Sequence, residues 1–295
     1  MARFGSVLTA MASPFASDDS LDVEGARTLA KWLVDQGNEG LVIAGTTGES
    51  PTLTHDEQIE LISAVVDSVD VPVIAGTGSN ATRAAVELTE RATEAGATAI
   101  LSVTPYYNRP TQEGLLAHFR AVAASTDLPI VLYDIPGRTG RKIETDTLLQ
   151  LAQEPNIVAL KDAAGNPGET ARFISAVGEG FDVYSGDDNL TLPLLAVGCV
   201  GVIGVATHWA AGEIRAMISA FESGDVAEAR RINQTLLESW EIETGDGRQN
   251  PIPTKTMLRL LGLPGGRCRL PLGPEPAELE DRCRKVLSNL GRAGF

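Results

Sequence analysis

Eight short apolar runs recur along the 295-residue chain, and they are continuous rather than alternating. They are SVLTAM (6–11), GLVIAG (40–45), VPVIAG (71–76), TAILSV (98–103), PIVLYD (129–134), NIVAL (156–160), FDVYSG (181–186) and VGVIGV (200–205). A strand covered on one face alternates apolar and polar residues; a run that is apolar throughout fits a parallel strand covered on both faces. The segments between the runs carry helical periodicity. DVEGARTLAKWLVDQG stops at Gly37 and NATRAAVELTERATEAG stops at Gly96, while THDEQIELISAVVDSV opens on Thr54 with Glu57 at the capping-box position. Repeated alternation of this kind predicts an α/β fold, a (β/α)8 TIM barrel. A doubly wound open sheet would place a glycine-rich phosphate turn after the first strand, and MASPFASDDSLD has none. GCVGVIG (198–204) is glycine-rich but crosses the eighth run, so it reads as close backbone packing. Beyond residue 222, DVAEARRINQTLLESWEI, PIPTKTMLRLLG and PEPAELEDRCRKVLSNL read as helices with no strand between them. The expected organisation is a barrel over residues 1–222 and a C-terminal helical extension over 223–295, packed on the barrel.

Composition narrows the function classes. A net charge of −15 and a pI near 4.6 disfavour partners built on phosphate, both nucleic acids and anionic membrane surfaces. No apolar stretch reaches the roughly 20 residues needed to cross a bilayer, and the N-terminus lacks a signal-peptide core. Cys199, Cys268 and Cys283 form no C-x-x-C pair, which fits reduced thiols and a cytoplasmic location. His55, His118 and His208 show no metal-ligand spacing, so no metal is expected. There is no G-x-S-x-G elbow and no P-loop.

Barrels of this kind carry their chemistry at the C-terminal ends of the strands. There the chain offers Thr46, Thr47 and Glu49; Thr77 and Asn80; Tyr106, Tyr107, Asn108 and Arg109. The later strands offer Tyr133 and Arg138; Lys161 and Asp162; Gly186, Asp187 and Asp188; Ile203 and Gly204, then Thr207 and His208. One of the two acids in SGDD reads as a helix N-cap. The chain has only five lysines (Lys31, Lys142, Lys161, Lys255 and Lys285), and Lys161 ends the sixth run. A lysine at the mouth of an apolar barrel loses its proton more easily and can form an imine with a ketone; a phenol shuttles protons, and glycine-flanked N–H groups hold a carboxylate. The plainer readings stay open on the residues alone. Lys161 can be the first solvated residue after a strand, Thr46 and Thr47 turn formers, the tyrosines rim aromatics, and Arg138 a surface ion pair. Lys255, in NPIPTK, has no strand to aim it and reads as structural.

GTTGES, AGTGSNAT, VTPYYNRPTQEGL, LYDIPGRTG, NIVALKDAAGN, SGDD and NPIPTK together resemble the dihydrodipicolinate (4-hydroxy-tetrahydrodipicolinate) synthase family of class I pyruvate aldolases. The resemblance covers nearly the whole chain. It implies Lys161 as the Schiff-base lysine, Tyr133 as proton donor and acceptor, Thr46 as a relay hydroxyl, and Tyr107 as a residue given across a dimer interface. It implies Thr47 as a carboxylate ligand, Gly186 and Ile203 as backbone lining, and Arg138 as the cation at the mouth. The implied substrates are pyruvate and L-aspartate 4-semialdehyde, with no cofactor beyond the lysine imine, in a homotetramer built as a dimer of dimers. Ser13 stands where the family has threonine, and Asp162 where glutamate is frequent. Pro51, Gln58 and Ala84 replace the alanine, histidine and glutamate of lysine-sensitive members, so weak or absent lysine inhibition is expected. The rival readings are a lyase for a sugar-derived 2-keto acid and a catalytically silent, ligand-binding paralogue.

Overall fold

A computed structural model describes residues 2–243, 249–292 and 294; the part of the expected helical extension at 244–248, 293 and 295 lies outside the described residues. The eight runs form eight parallel strands: β1 Val7–Ala10, β2 Gly40–Ile43, β3 Val73–Gly76, β4 Ala99–Val103, β5 Ile130–Asp134, β6 Ile157–Asp162, β7 Asp182–Ser185 and β8 Gly201–Gly204. They pair in sequence order, and β8 returns to β1, so the sheet closes into a barrel.

The strand period of two sorts each run between two cores. Val131 and Tyr133 of β5, Ala159 of β6, Tyr184 of β7 and Ile203 of β8 point into the barrel. Their neighbours Ile130, Leu132, Leu160 and Val183 point outward, against the surrounding helices. Those helices begin and end on the expected signals. Helix α1 (Val23–Asp35) is followed by Gly37 at φ +97°, and α3 (Thr82–Glu94) by Gly96 at φ +86°, both left-handed positions that glycine adopts without strain. Helix α2 (His55–Val66) is closed by a full capping box between Thr54 and Glu57.

The sixth run differs from its predicted span. β6 continues through Lys161 and Asp162, because both residues pair on both sides: Lys161 with Tyr133 and Tyr184, Asp162 with Asp134 and Ser185. Lys161 is therefore a strand residue sharing the inward face of Ala159, not a solvated residue past the strand. Asp162 faces outward, where its carboxylate accepts from the Thr170 hydroxyl and the Ala164 N–H.

After β8 the described residues form helices and loops with no further strand. Numbered as the ninth to twelfth helices of the chain, α9 is Thr207–Glu222, α10 Val226–Glu241, α11 Ile252–Leu260 and α12 Leu279–Asn289. Trp209, Met217, Leu236, Trp240, Leu279 and Cys283 share a second apolar cluster with Val7 and Val202 of the barrel. This cluster fixes α10 beside the C-terminal mouth.

The GCVGVIG segment is a packing device. A Cβ on Gly201 would lie 2.1 Å from the Ser6 carbonyl oxygen, at the seam where β8 meets β1. Gly201→Ala is expected to destabilise the fold by about 2 kcal/mol or more, since the obstacle is backbone. Gly212, exposed in α9 with no heavy atom within 4 Å of an added Cβ, gives the contrast. Gly212→Ala is expected to stabilise by up to about 1 kcal/mol. Paired denaturation curves read both; equal effects would show that the β1–β8 seam is not tight.

Candidate active site

Five strand ends (β2, β5, β6, β7 and β8) and the helical extension enclose a cavity of about 410 Å³ at the barrel mouth. Lys161 sits on its wall, 4% exposed, with its Nζ 4.4 Å from the centroid of the Tyr133 ring. The strand register makes this neighbourhood, since Tyr133 and Lys161 are paired residues on adjacent strands. Burial brings the Lys161 ammonium down to about 8. The carboxylates of Asp188 and Asp187 resist that shift, and the Arg138 guanidinium adds to it. Burial pushes the Tyr133 phenol well above its usual range, against a hydrogen bond from Thr46 and the charge of Arg138. Near neutral pH the site thus holds a lysine within reach of its neutral form and a phenol that keeps its proton.

Thr46, Thr47, Arg138 and Gly186 also line the cavity. Thr47 is 1% exposed, and its hydroxyl accepts from the Asn250 side-chain amide at 2.8 Å. Arg138 follows β5 and donates from Nη2 to the Asn250 carbonyl at 3.2 Å. Gly186 packs closely here: a Cβ would lie 3.0 Å from both the Lys161 Cε and the Ala163 Cβ, so either neighbour would have to give by a few tenths of an ångström.

Two residues singled out in the sequence lie elsewhere. Ile203 is fully buried in the barrel interior with Tyr133 and Tyr184, and is not among the residues lining the cavity. Tyr107 is 90% exposed, away from the cavity, in a left-handed conformation at φ +73° that a bulky side chain rarely adopts. The N-cap reading of SGDD also fails. Neither acid caps its own short helix; Asp188 instead accepts from the Val205 and Ala206 N–H groups beyond β8, at 2.8 and 3.2 Å. Gly204 leaves room for that approach, because a Cβ there would meet the Asp188 carboxylate.

Sequence reasoning missed Asn250, Trp240 and Glu243, which reach the cavity from the helical extension. No spacing marks them; they arrive because α10 and α11 pack over the mouth. Among the described residues no group of three or more His, Cys, Asp or Glu could hold a metal ion. No described helix is long and apolar enough to cross a membrane. Gln58, one of the substituted positions of the lysine-binding region, is buried and its amide nitrogen is committed to the Ser50 carbonyl at 2.9 Å.

Lys255 is structural, as its surroundings predict. It is fully buried, ion-paired with Glu49 at 2.5 Å, and bonded to the Arg267 carbonyl at 3.0 Å. Glu49 is itself left-handed (φ +55°) and follows the Thr46–Thr47 turn by two residues. The pair ties that turn to α11.

A sequence profile described as the Dihydrodipicolinate synthetase family matches residues 3–290. The chain belongs to this family of enzymes. It is 47% identical over 291 residues to the 4-hydroxy-tetrahydrodipicolinate synthase of Moorella thermoacetica, covering 98% of this chain and 99% of that one. It is 50% identical to that of Acidothermus cellulolyticus, covering 100% and 95%. It superposes on the dihydrodipicolinate synthase of Cyanidioschyzon merolae, solved with lysine bound, with a TM-score of 0.95 and 44% identity over 98% of each chain.

The buried pair gives a test of how the family's threonine turn is held here. Glu49→Gln leaves the Lys255 ammonium unpaired inside the protein, at an expected cost of about 3–5 kcal/mol. Joint replacement by Glu49→Gln and Lys255→Met should recover part of that loss. A calorimetric melting series reads both, and a neutral single variant would show that the pair does not hold the turn.

Proposed function

We propose that this enzyme condenses pyruvate with L-aspartate 4-semialdehyde to give 4-hydroxy-tetrahydrodipicolinate, with Lys161 as the imine-forming residue. The observation that carries the reading is a buried lysine, eased toward its neutral form, held beneath a protonated tyrosine in a cavity that also contains an arginine. Neutral Lys161 attacks the pyruvate carbonyl, and loss of water leaves the imine. Tyr133, still protonated, donates to the departing hydroxyl, and its phenolate then accepts a methyl proton as the enamine forms. Thr46 relays these protons. The enamine carbon attacks the aldehyde. The substrate amine then adds to the imine carbon and displaces Lys161, closing the ring. The Thr46–Thr47 turn holds the pyruvate carboxylate through hydroxyl and N–H donors. Arg138 receives the carboxylate of the second substrate. The lysine supplies the electron sink, so the reaction needs no metal or diffusible cofactor. The three unpaired thiols fit a reducing, cytoplasmic setting.

Borohydride added with pyruvate should fix one adduct on the wild-type chain and none on Lys161→Ala, read by intact mass. Trapping at subsaturating pyruvate should rise about tenfold per pH unit below about 8 and level off above it, because only the neutral amine attacks. Absence of an adduct on folded wild-type protein would overturn the reading.

Tyr107 enters as a residue donated between subunits of a homotetramer. Its exposure and costly backbone conformation fit a side chain whose partner surface belongs to another copy. Lys161→Ala and Tyr107→Phe chains, each nearly inactive alone, should regain activity when refolded together, because some mixed sites hold both wild-type residues. Mixtures no more active than their components would place Tyr107 outside the reaction.

A further inference from the structure

Asn250 is a buried amide on the cavity wall to which the reaction scheme above gives no part. It lies just ahead of α11. Its Nδ2 donates to the Thr47 hydroxyl oxygen at 2.8 Å, and its Oδ1 accepts from the Thr254 hydroxyl at 2.9 Å. Thr254 is fully buried in α11, so its hydroxyl settles which end of the amide faces Thr47. The backbone of Asn250 is held as well. Its carbonyl accepts from the Arg138 guanidinium at 3.2 Å, and its N–H donates to the Glu243 carbonyl at 3.2 Å.

A hydroxyl has one proton and two lone pairs. The amide fills a lone pair of Thr47, and among the described residues nothing accepts the Thr47 proton. Thr47 lines the cavity, with its oxygen held from behind by α11. An acceptor arriving from the cavity side fits that proton. Three donors then run in one direction, from Thr254 to Asn250, from Asn250 to Thr47, and from Thr47 into the cavity. Each bond polarises the next, which strengthens the last donor without adding a charge. A neutral donor matters at this place, because a cation beside Lys161 would depress its ammonium as Arg138 already does.

We infer that Asn250, oriented by Thr254, is a positioning residue that turns the Thr47 hydroxyl proton toward the carboxylate of the 2-keto acid. The inference rests on the reaction proposed above, in which that carboxylate lies at the Thr46–Thr47 turn. Asn250 acts through Thr47, and so gives the helical extension a part in recognising the first substrate.

The test measures steady-state constants for wild type, Asn250→Asp and Thr254→Val, each also on a Thr47→Val background. Asn250→Asp is nearly isosteric, but a carboxylate only accepts, so the Thr47 hydroxyl turns round to donate to it. The KM for pyruvate should rise about tenfold, as for one lost hydrogen bond to a charged group. Thr254→Val adds no charge and frees the amide to turn over; the same KM should rise about threefold, as for a neutral hydrogen bond. The KM for aspartate semialdehyde should move less than about twofold in both, a split that general damage to the fold would not give. With the hydroxyl already removed by Thr47→Val, Thr254→Val should add less than about twofold. An unchanged pyruvate KM in Thr254→Val, or its full loss repeated on Thr47→Val, would overturn the inference while wild-type turnover left the reaction intact. Wild-type protein that traps no pyruvate would overturn both.

Discussion

A lysine placed inside a closed barrel governs the rest of this site. The strand period leaves no choice of direction: once Ala159 faces the interior, Lys161 does too. An ammonium taken out of water is disfavoured, and the protein can meet that cost in two ways. It can pair the charge, or it can let the proton go. The chain does both, at two different lysines. Lys255 is paired at short range with Glu49. Lys161 is brought down to about 8 by burial, and no carboxylate forms an ion pair with it among the described residues. The same physical penalty yields a paired strut in one place and a lysine eased toward its neutral form in the other. The difference is the distance to the nearest carboxylate.

That distance is set by glycines and by the acids after β7. Gly186 lets the Lys161 stem pass, and Gly204 lets Asp188 reach the amides beyond β8. Held by those amides, Asp188 stays in the wall, where its charge acts on Lys161 without capturing it. The tight β8–β1 seam at Gly201 belongs to the same economy of space. Glycine recurs here because the backbones and charged groups must approach more closely than a Cβ permits.

The architecture was legible because its signals are local and repeated. Continuous apolar runs, capping residues and terminal glycines each report on a few neighbouring residues, and all eight strands lie where those signals put them. Lys161, Tyr133, Thr46, Thr47, Arg138 and Gly186 were legible for a related reason: each lies at or just past a strand end, where a barrel concentrates chemistry. What escaped has no local signature. Asn250 and Glu243 reach the cavity only through the packing of α10 and α11 on the barrel. The Ile203 side chain fills the barrel interior, which leaves its expected part to the backbone alone. The role of Asp188 depends on β8, which is adjacent in space and not in sequence. Tyr107 is exposed, outside the cavity.

The charges of the cavity explain how one pocket can take two anions in order. Arg138 is its permanent cation, and it stands at the mouth, half engaged by the Asn250 carbonyl. Among the described residues the inner wall has no such group. Lys161 must be neutral to react, and Asp187, Asp188 and Glu243 make the interior acidic. On the reaction proposed above, the carboxylate of the 2-keto acid falls to the hydroxyls and N–H groups of the Thr46–Thr47 turn, donors whose strength does not depend on protonation. An inner cation there would depress Lys161 further but would also bind the carboxylate of the second substrate in the place of the first. Keeping the guanidinium at the rim and the acids inside separates the two molecules by charge. On the proposed reaction the ketone goes to the lysine, and the aldehyde, with its carboxylate at Arg138, stops above it.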